Sequence, residues 1–310
     1  MIYVYQTVED RLLCRDEIEE DCWINLVNPT EAELSQVAEA TGIDYDFLKY
    51  PLDDEEIPRC EVEEDQSMII IHAPIKTTDD VIYDTIPLGM VLNDRYVVTI
   101  CLEDLDLLAE LSGSRIKGMA TFKKTRFVFQ TLHRKTNLFL KYLRDINRRT
   151  EEMERVLSHS MKNKELLSLL NLQKSLVYFS TSLRYNAKVM NRLIRGRIVK
   201  MYEEDEDLLE DVIIENTQAI EMAEIYSNIT NSTMSAFSSL ISNTLSMTMK
   251  LLTAITIILS IPTMIASFWG MNVNVPFAAN MGLFGFGVIL GICAVACVIV
   301  FLLLKKKDMF

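Results

Sequence analysis

The carboxyl-terminal part of this sequence lacks charged residues altogether. The chain has 310 residues, of which 44 are acidic and 31 basic, and none of these lies between Leu251 and Leu304. A water-soluble globular domain does not tolerate such a stretch, which is about twice as long as the roughly 20 residues that one membrane-spanning helix needs. We therefore predict two transmembrane helices, at 251–272 and 282–304, joined by a short external loop at 273–281.

The absence of several other sequence features narrows the range of possible functions. The chain has only ten glycines, and it contains no Walker A, nucleophile-elbow, zinc-protease or Cys-x-x-Cys motif. The six cysteines are scattered, and two of them lie inside the uncharged stretch, which excludes a disulfide framework. The first residues lack the basic and apolar segments of a signal peptide, so we expect none to be removed. The sequence thus predicts a membrane protein that is not an enzyme.

The charge that is present is divided unevenly. Residues 1–110 carry 28 acidic and 6 basic side chains, residues 111–200 carry 5 and 21, and residues 201–310 carry 11 and 4. Because a more acidic block precedes the basic one, we do not expect nucleic acid as a partner. Basic residues also flank the predicted transmembrane helices, at Lys250 and in a basic tail, 305–310. By the positive-inside rule both termini lie in the cytoplasm, and the protein belongs in the inner or plasma membrane.

The first 115 residues predict an acidic α/β domain, with a mixed sheet and flanking helices. The segments IYVYQTV, MIIIHAPI, IPLGMVL and RYVVTI are rich in β-branched and aromatic residues, which is typical of strands. The segment PTEAELSQVAEAT predicts a helix with Thr30 as its N-cap. This domain, 1–115, is the predicted amino-terminal head of the protein.

Long helices are predicted beyond this domain. Residues 116–200 have the periodicity of two long basic helices with a turn near 158–163. The stalk helix is predicted within 201–250, and the acidic segment 203–211 is predicted as the connection that caps this helix with its negative charge. The stalk contains no Pro or Gly, so we expect it to continue without a break into the first transmembrane helix.

A stripe of mostly small, polar residues runs along the stalk and the first transmembrane helix. Its members are alternately four and three residues apart, the heptad spacing that keeps one face of each helix in a bundle directed at a common axis. The stripe consists of Asn228, Ser232, Ser235, Ser239, Ser242, Ser246, Met249, Thr253, Thr256, Ser260, Thr263 and Ser267. We interpret it as the lining of an axial, water-filled pathway. Close packing of transmembrane helices through small hydroxyl residues is the alternative explanation.

Part of this stripe, together with the neighbouring Leu252, is the candidate pore lining. The candidate pore-lining residues are Ser246, Met249, Leu252, Thr253, Thr256, Ser260, Thr263 and Ser267. Met249 and Leu252 lie near the predicted cytoplasmic end and could form an apolar constriction that gates by dewetting. Ordinary core packing is the alternative role for these two residues.

The stripe ends at the triplet Gly270, Met271 and Asn272. It is preceded by Pro262, Ile265, Ala266 and Trp269. In this context, at the outer end of the first of two terminal spans, the triplet resembles the signature of the CorA family of divalent-cation channels. The resemblance extends to the order of domains along the chain. It implies a homopentameric funnel whose first span lines the pore and whose second faces lipid, with a ring of Asn272 side chains that selects the hydrated ion.

The same resemblance implies regulation by Mg²⁺. Asp211 falls where family members carry an acidic residue that binds regulatory Mg²⁺ between neighbouring cytoplasmic domains, and Asp53 or Asp54 is the candidate partner. Mg²⁺ is thus expected both as the transported ion, with Co²⁺ and Ni²⁺ as further candidates, and as a regulatory ligand. Bound Mg²⁺ would bridge like-charged surfaces and hold the ring closed.

Two departures from the family pattern leave the transported ion open. The loop after the triplet has no acidic residue, and Ser235 stands where some relatives have a pore-facing Asp. A Zn²⁺ transporter of the same family, with or without proton coupling, is therefore an alternative, although the stripe lacks the His, Cys and carboxylate ligands that softer metals prefer. A two-span membrane sensor is a further alternative, and the polar stripe argues against it.

Overall fold

The computed structural model of the chain describes residues 1–9, 11–77, 81–113, 120–159, 163–196, 198–271 and 282–307. The chain divides into two compact units, Met1–Met234 and Ser235–Phe310. The first contains a β-sheet with helices on both faces, and the second contains apolar helices.

The sheet of the first unit has seven strands. They are β1 Ile2–Val8, β2 Arg11–Arg15, β3 Trp23–Val27, β4 Arg59–Glu63, β5 Gln66–Lys76, β6 Tyr83–Leu92 and β7 Val97–Cys101. Their order in the sheet is β2-β1-β3-β7-β6-β5-β4. Strands β3 and β7 pair in parallel, with Trp23 opposite Val97, whereas the other neighbouring pairs are antiparallel. The sheet is mixed, as the sequence predicts.

Two central strands explain how the sheet is covered. Every residue of β3 and of β7 is buried, which requires an apolar layer on each face. Because side chains alternate along a strand, Trp23 and Val27 of β3 enter one core, and Ile24 and Leu26 enter the other. The sheet is therefore the middle layer of a three-layer structure.

Short helices cover the face of Ile24 and Leu26. Helices α1, Glu31–Thr41, and α2, Tyr45–Lys49, supply Val37 and Phe47 to this core. Helix α1 begins with the predicted N-cap: Thr30 Oγ1 accepts from the Glu33 N–H at 3.3 Å, and the Glu33 carboxylate accepts from the Thr30 N–H at 2.8 Å. This reciprocal pair is a capping box, and it fixes where the helix starts.

Long helices cover the opposite face. They are α4, Lys124–His159, α5, Asn163–Gly196, and the first part of α6, Glu203–Trp269, with the short α3, Asp106–Gly113, beside them. Phe139 of α4, Phe179 of α5 and Val212 of α6 share one core with the sheet. This core anchors the first part of α6 to the sheet.

Three predicted boundaries differ from the structure. The acidic segment 203–211 is not a connection, because α6 already begins at Glu203 and its first four residues are acidic. Negative side chains stabilise the free N–H groups of a helix amino terminus, so the helix extends into them. The first basic helix begins at Lys124, after a turn in which the Lys123 N–H donates to the Ala120 carbonyl. Helix α4 also continues through His159, into the predicted turn.

The second unit contains the apolar helices. Helix α6 reaches Trp269, and α7 spans Gly282–Lys306. Among the described residues, two helices are long and apolar enough to cross a membrane, namely α6 and the Phe284–Lys306 part of α7. The predicted external loop, 273–281, lies outside the described residues.

Candidate functional site

The hydroxyl residues of the stripe lie on exposed positions of α6. Ser246, Thr253, Thr256, Ser260, Thr263 and Ser267 are all exposed in the single chain. The two apolar members of the candidate pore lining are exposed as well, Met249 by 54% and Leu252 by 57%. Among the described residues of the second unit, none covers this face.

The hydroxyl groups of the stripe are oriented by the helix backbone. Each of five side chains donates its proton to the carbonyl four residues earlier, at 2.8 to 3.0 Å; they are Ser246, Thr253, Thr256, Ser260 and Thr263. A hydroxyl oxygen has one proton to donate and two lone pairs that accept. Because the proton is used by the backbone, what each hydroxyl offers outward is a hydrogen-bond acceptor.

The stripe extends further towards the amino end of α6 than sequence reasoning found. Continuing backwards from Asn228 in steps of three and four residues gives Ile225, Glu221, Gln218, Ile214 and Asp211, and all are exposed. The other side of this part of α6, which includes Val212 and Ala219, is buried in the core of the first unit. The heptad spacing of these residues is visible in the sequence and could have identified them as part of the stripe. They are hard to recognise there because their side chains are charged, polar and apolar in turn.

The triplet follows directly on the end of α6. The Gly270 N–H donates to the Ala266 carbonyl at 2.9 Å, which continues the helical pattern by one residue. Met271 is 52% exposed. Asn272, the predicted selectivity residue, lies outside the described residues.

The candidate regulatory acids are exposed and separate. Asp211 lies on the outer side of α6, whereas Asp53 and Asp54 follow a short 3₁₀ helix, Tyr50–Leu52. Asp53 Oδ1 accepts from the Glu55 N–H at 3.1 Å. In the described part of the chain, no group of three or more His, Cys, Asp or Glu side chains is placed to hold a metal. One chain therefore does not assemble a regulatory metal site by itself among these residues.

Comparison with known proteins identifies the family. A family model described as CorA-like Mg2+ transporter protein matches residues 19–306, nearly the whole chain. The chain belongs to the CorA family. Its sequence is 30% identical over 268 residues to the cobalt/magnesium transport protein CorA of Methanocaldococcus jannaschii, covering 83% of this chain and 82% of that protein.

Solved structures show the same architecture. The complete structure of the CorA magnesium transporter from M. jannaschii is similar with a TM-score of 0.85 and 25% identity, covering 100% of this chain and 99% of that chain. The full-length CmaX protein is similar with a TM-score of 0.73 and 18% identity, over 98% and 97% of the two chains. The ZntB cytoplasmic domain from Vibrio parahaemolyticus has a TM-score of 0.61 and 12% identity, over 79% and 97%. The last two likenesses concern the fold alone.

These findings confirm the family and the predicted fold class. A CorA-family chain is a divalent-cation transporter of a membrane and not an enzyme. The two apolar helices fit a protein with two membrane spans. The role of each stripe residue and of the regulatory acids stays a prediction.

The structure of this CorA-family chain also contains a buried lysine that sequence reasoning missed. Lys135 of α4 is 0% exposed, and its Nζ donates to Asn216 Oδ1 of α6 at 3.3 Å. Asn216 in turn donates through Nδ2 to the Leu183 carbonyl of α5 at 3.1 Å. Burial lowers the pKa of Lys135 to about 7. These two side chains thus join the three long helices of the first unit through polar contacts inside its core.

A second polar group in the same unit joins the sheet to α5. The His72 N–H of β5 donates to Asn186 Oδ1 at 2.9 Å, and Asn186 Nδ2 donates back to the His72 carbonyl at 2.8 Å. The His72 ring contacts Ser182 Oγ through Nδ1 at 2.9 Å. Burial lowers the pKa of His72 and so favours the neutral ring. Neither buried group faces the stripe, so both are assigned to the scaffold.

Proposed function

We propose that this protein is a homopentameric Mg²⁺ channel of the cytoplasmic membrane, in which the stripe of α6 from each subunit lines a central pore. The observation that carries the proposal is the exposed hydroxyl stripe, whose oxygens are available only as acceptors. Five helices in a left-handed bundle would each present a heptad-spaced face to the axis. Both termini would then lie in the cytoplasm, as the flanking lysines indicate.

Acceptor oxygens suit the chemistry of Mg²⁺. This ion gives up its inner water molecules reluctantly and usually keeps several of them. The protons of those waters point outward, so a hydrated ion needs hydrogen-bond acceptors around it and not direct ligands. A ring of Thr256 or Ser260 oxygens provides such acceptors at successive levels, spaced by about 6 Å along a helix that rises 1.5 Å per residue.

Asn272 would select the ion at the external entrance. Its side-chain carbonyl is a neutral acceptor of the same kind as the hydroxyls of the stripe. A ring of five such carbonyls would recognise the outer protons of hydrated Mg²⁺ without removing its water. Gly270 would permit close approach of the helix ends, and Met271 would orient the chain that follows.

Met249 and Leu252 would form the gate. Both side chains are exposed in the single chain and lie one turn before the hydroxyls of Thr253 and Thr256. A narrow ring of apolar side chains blocks ions by excluding water, because the hydrated ion cannot pass a dry segment. Widening the bundle at this level would let water return and open the pore.

Cytoplasmic Mg²⁺ would close this gate through Asp211. Asp211 lies on the exposed face of α6, and the first 110 residues carry 28 acidic and 6 basic side chains. Neighbouring subunits would repel each other through these acids unless a divalent cation bridges Asp211 of one subunit to Asp53 or Asp54 of the next. If the Asp211→Ala variant leaves the dependence of channel closure on internal Mg²⁺ unchanged, this assignment is wrong.

The experiment that tests the proposed channel is Mg²⁺ flux into liposomes that contain the purified protein. We expect flux that is blocked by a hexammine mimic of hydrated Mg²⁺ and is lost in Asn272→Ala. Thr256→Val, which removes a stripe hydroxyl at constant shape, should reduce flux. Thr248→Val is the matched control, because Thr248 makes the same bond to the carbonyl four residues earlier, at 2.9 Å, but lies off the stripe.

The outcomes separate the alternatives. Equal effects of the Thr256 and Thr248 substitutions would exclude the stripe as the pore lining. Zn²⁺ flux that depends on a pH gradient, without Mg²⁺ flux, would support a proton-coupled Zn²⁺ transporter of this family. Absence of flux for Mg²⁺, Co²⁺, Ni²⁺ and Zn²⁺ would overturn transport through this path.

A further inference from the structure

Pro262 lies inside α6 and leaves one backbone carbonyl without its usual donor. Proline has no N–H, so the carbonyl four residues earlier, that of Ile258, loses its helical hydrogen bond. In the hydrocarbon region of a membrane no water is present to replace that bond. A side chain of a neighbouring helix is then the natural replacement donor.

Helix α7 places such a donor at this carbonyl. The Sγ atom of Cys297 lies 3.8 Å from the Ile258 oxygen, within hydrogen-bond range for sulfur, and the thiol donates. Both residues are half-buried in the second unit. Cys293, one turn earlier on α7, is similarly half-buried, but the structure records no such contact for it among the described residues.

The contact lies on the side of α6 opposite to the stripe. Ile258 is two residues from both Thr256 and Ser260, which is a rotation of about 200° around the helix. Ala254, one turn before Ile258, is 0% exposed, so this side of α6 is covered. The covered side and the exposed stripe therefore face in opposite directions.

We infer that Cys297 is a positioning residue for the pore helix: its thiol donates to the Ile258 carbonyl that Pro262 leaves unpaired, and so holds the second span against the back of the first. The inference rests on the proposed function, because it assumes that the stripe of α6 lines the pore. The thiol does not touch the ion. It fixes the position of α6 next to the segment that carries Thr256 and Ser260.

A set of variants in liposomes tests this role. Cys297→Ala should change Mg²⁺ flux by about three- to tenfold, the effect expected when one buried hydrogen bond is lost. Cys297→Ser should return flux towards the wild-type value, because the hydroxyl is also a donor. Cys293→Ala is the matched control and should have no effect.

Removing the proline provides the decisive comparison. In Pro262→Ala the backbone N–H of residue 262 can donate to Ile258, so adding Cys297→Ala to this variant should change nothing further. Equal effects of Cys297→Ala with and without Pro262, or an equal effect of Cys293→Ala, would overturn the inference.

A spectroscopic measurement separates this inference from the proposed function. The S–H stretching band of Cys297 is the infrared band that is present in wild type and absent in Cys297→Ala. In wild type it should lie at the lower wavenumber of a hydrogen-bonded thiol. In Pro262→Ala it should move to the wavenumber of a free thiol. A free thiol band in wild type would refute the hydrogen bond. Because this measurement needs no transport, absence of Mg²⁺ flux in wild type would refute the proposed channel while the bond could still be demonstrated.

Discussion

Replacing Lys135 with methionine should stabilise the first unit at neutral pH. Lys135 is fully buried, and its hydrogen bond to Asn216 Oδ1 at 3.3 Å is a poor substitute for the water that an ammonium group loses. Methionine has a similar length and carries no charge, so it fills the space without the desolvation cost. We therefore expect Lys135→Met to need more denaturant to unfold than the wild type.

The size of the effect follows from the pKa. Burial lowers the pKa of Lys135 from 10.5 to about 7. At about 1.4 kcal/mol per pKa unit, keeping this side chain in the core costs about 5 kcal/mol near pH 7. The variant would leave Asn216 Oδ1 without its donor, which costs about 1 to 3 kcal/mol. The net gain expected for Lys135→Met at pH 7 is thus about 2 to 4 kcal/mol.

The gain should shrink as the pH rises. The folded pKa lies below that of the unfolded chain, so between pH 7 and 10.5 the unfolded chain binds more protons than the folded one. Wild-type stability therefore increases with pH in this window, by about 1.4 kcal/mol per pH unit. Below this pH window the full destabilisation caused by burying Lys135 is present. The advantage of the variant should fall by about 3 kcal/mol between pH 7 and 9.

The measurement is urea denaturation of the full chain in detergent, followed by tryptophan fluorescence. The chain has two tryptophans, so a Trp269→Phe background leaves Trp23, which is buried in the first unit, as the reporter. Lys141→Met is the matched control, because Lys141 is exposed on the same helix. The reasoning would be refuted if the difference in stability between Lys135→Met and its background stayed constant from pH 7 to 9. It would also be refuted if Lys135→Met were less stable than its background at pH 7.

Two further predictions concern the packing and charge of the first unit, and both can be measured by the same Trp23 fluorescence. Gly89→Ala should lower stability by about 1 to 3 kcal/mol, because a Cβ would overlap the ring of Pro51. Gly113→Ala, where a Cβ meets nothing within 4 Å, should change little, and equal effects would contradict this account. Burial alone would raise the pKa of Asp145, but the hydrogen bond from the Tyr83 hydroxyl helps to hold that pKa below its usual value. The stabilisation that Asp145 provides is present above the pKa of the unfolded chain and is lost as the pH falls through the pKa of the folded protein. Asp145→Asn should therefore be less stable than wild type at pH 7 and should lose less stability in acid. Parallel pH profiles of the two proteins would contradict this prediction.

Strands could be predicted from the sequence where they are long and apolar. The segments that became β1, β5, β6 and β7 stand out by their β-branched and aromatic residues. Strand β3, WINLV, was missed although it is central and buried, because it has only five residues, and β2, RLLCR, and β4, RCEVE, were missed because they form the edges of the sheet. Edge strands carry charged side chains that prevent pairing with other chains, and this makes their composition resemble that of a loop.

The candidate site was predictable as a pattern but not as a set of contacts. The heptad spacing of the stripe and the positions of Gly270 and Met271 can be read from the sequence alone. The burial of Lys135 cannot, because neighbouring basic residues on α4 look alike until α5 and α6 cover one of them. The contact of Cys297 with Ile258 depends on how α6 and α7 are aligned, which no local pattern specifies.

The orientation of the stripe hydroxyls bears on proton leakage. A proton can hop along a row of hydroxyl groups only if each one accepts a proton on one side and releases its own on the other. In α6 the protons of Thr253, Thr256, Ser260 and Thr263 are held by backbone carbonyls. A pore lined in this way would offer no side-chain relay for protons, so any proton movement through it would depend on the water inside the pore and not on its wall.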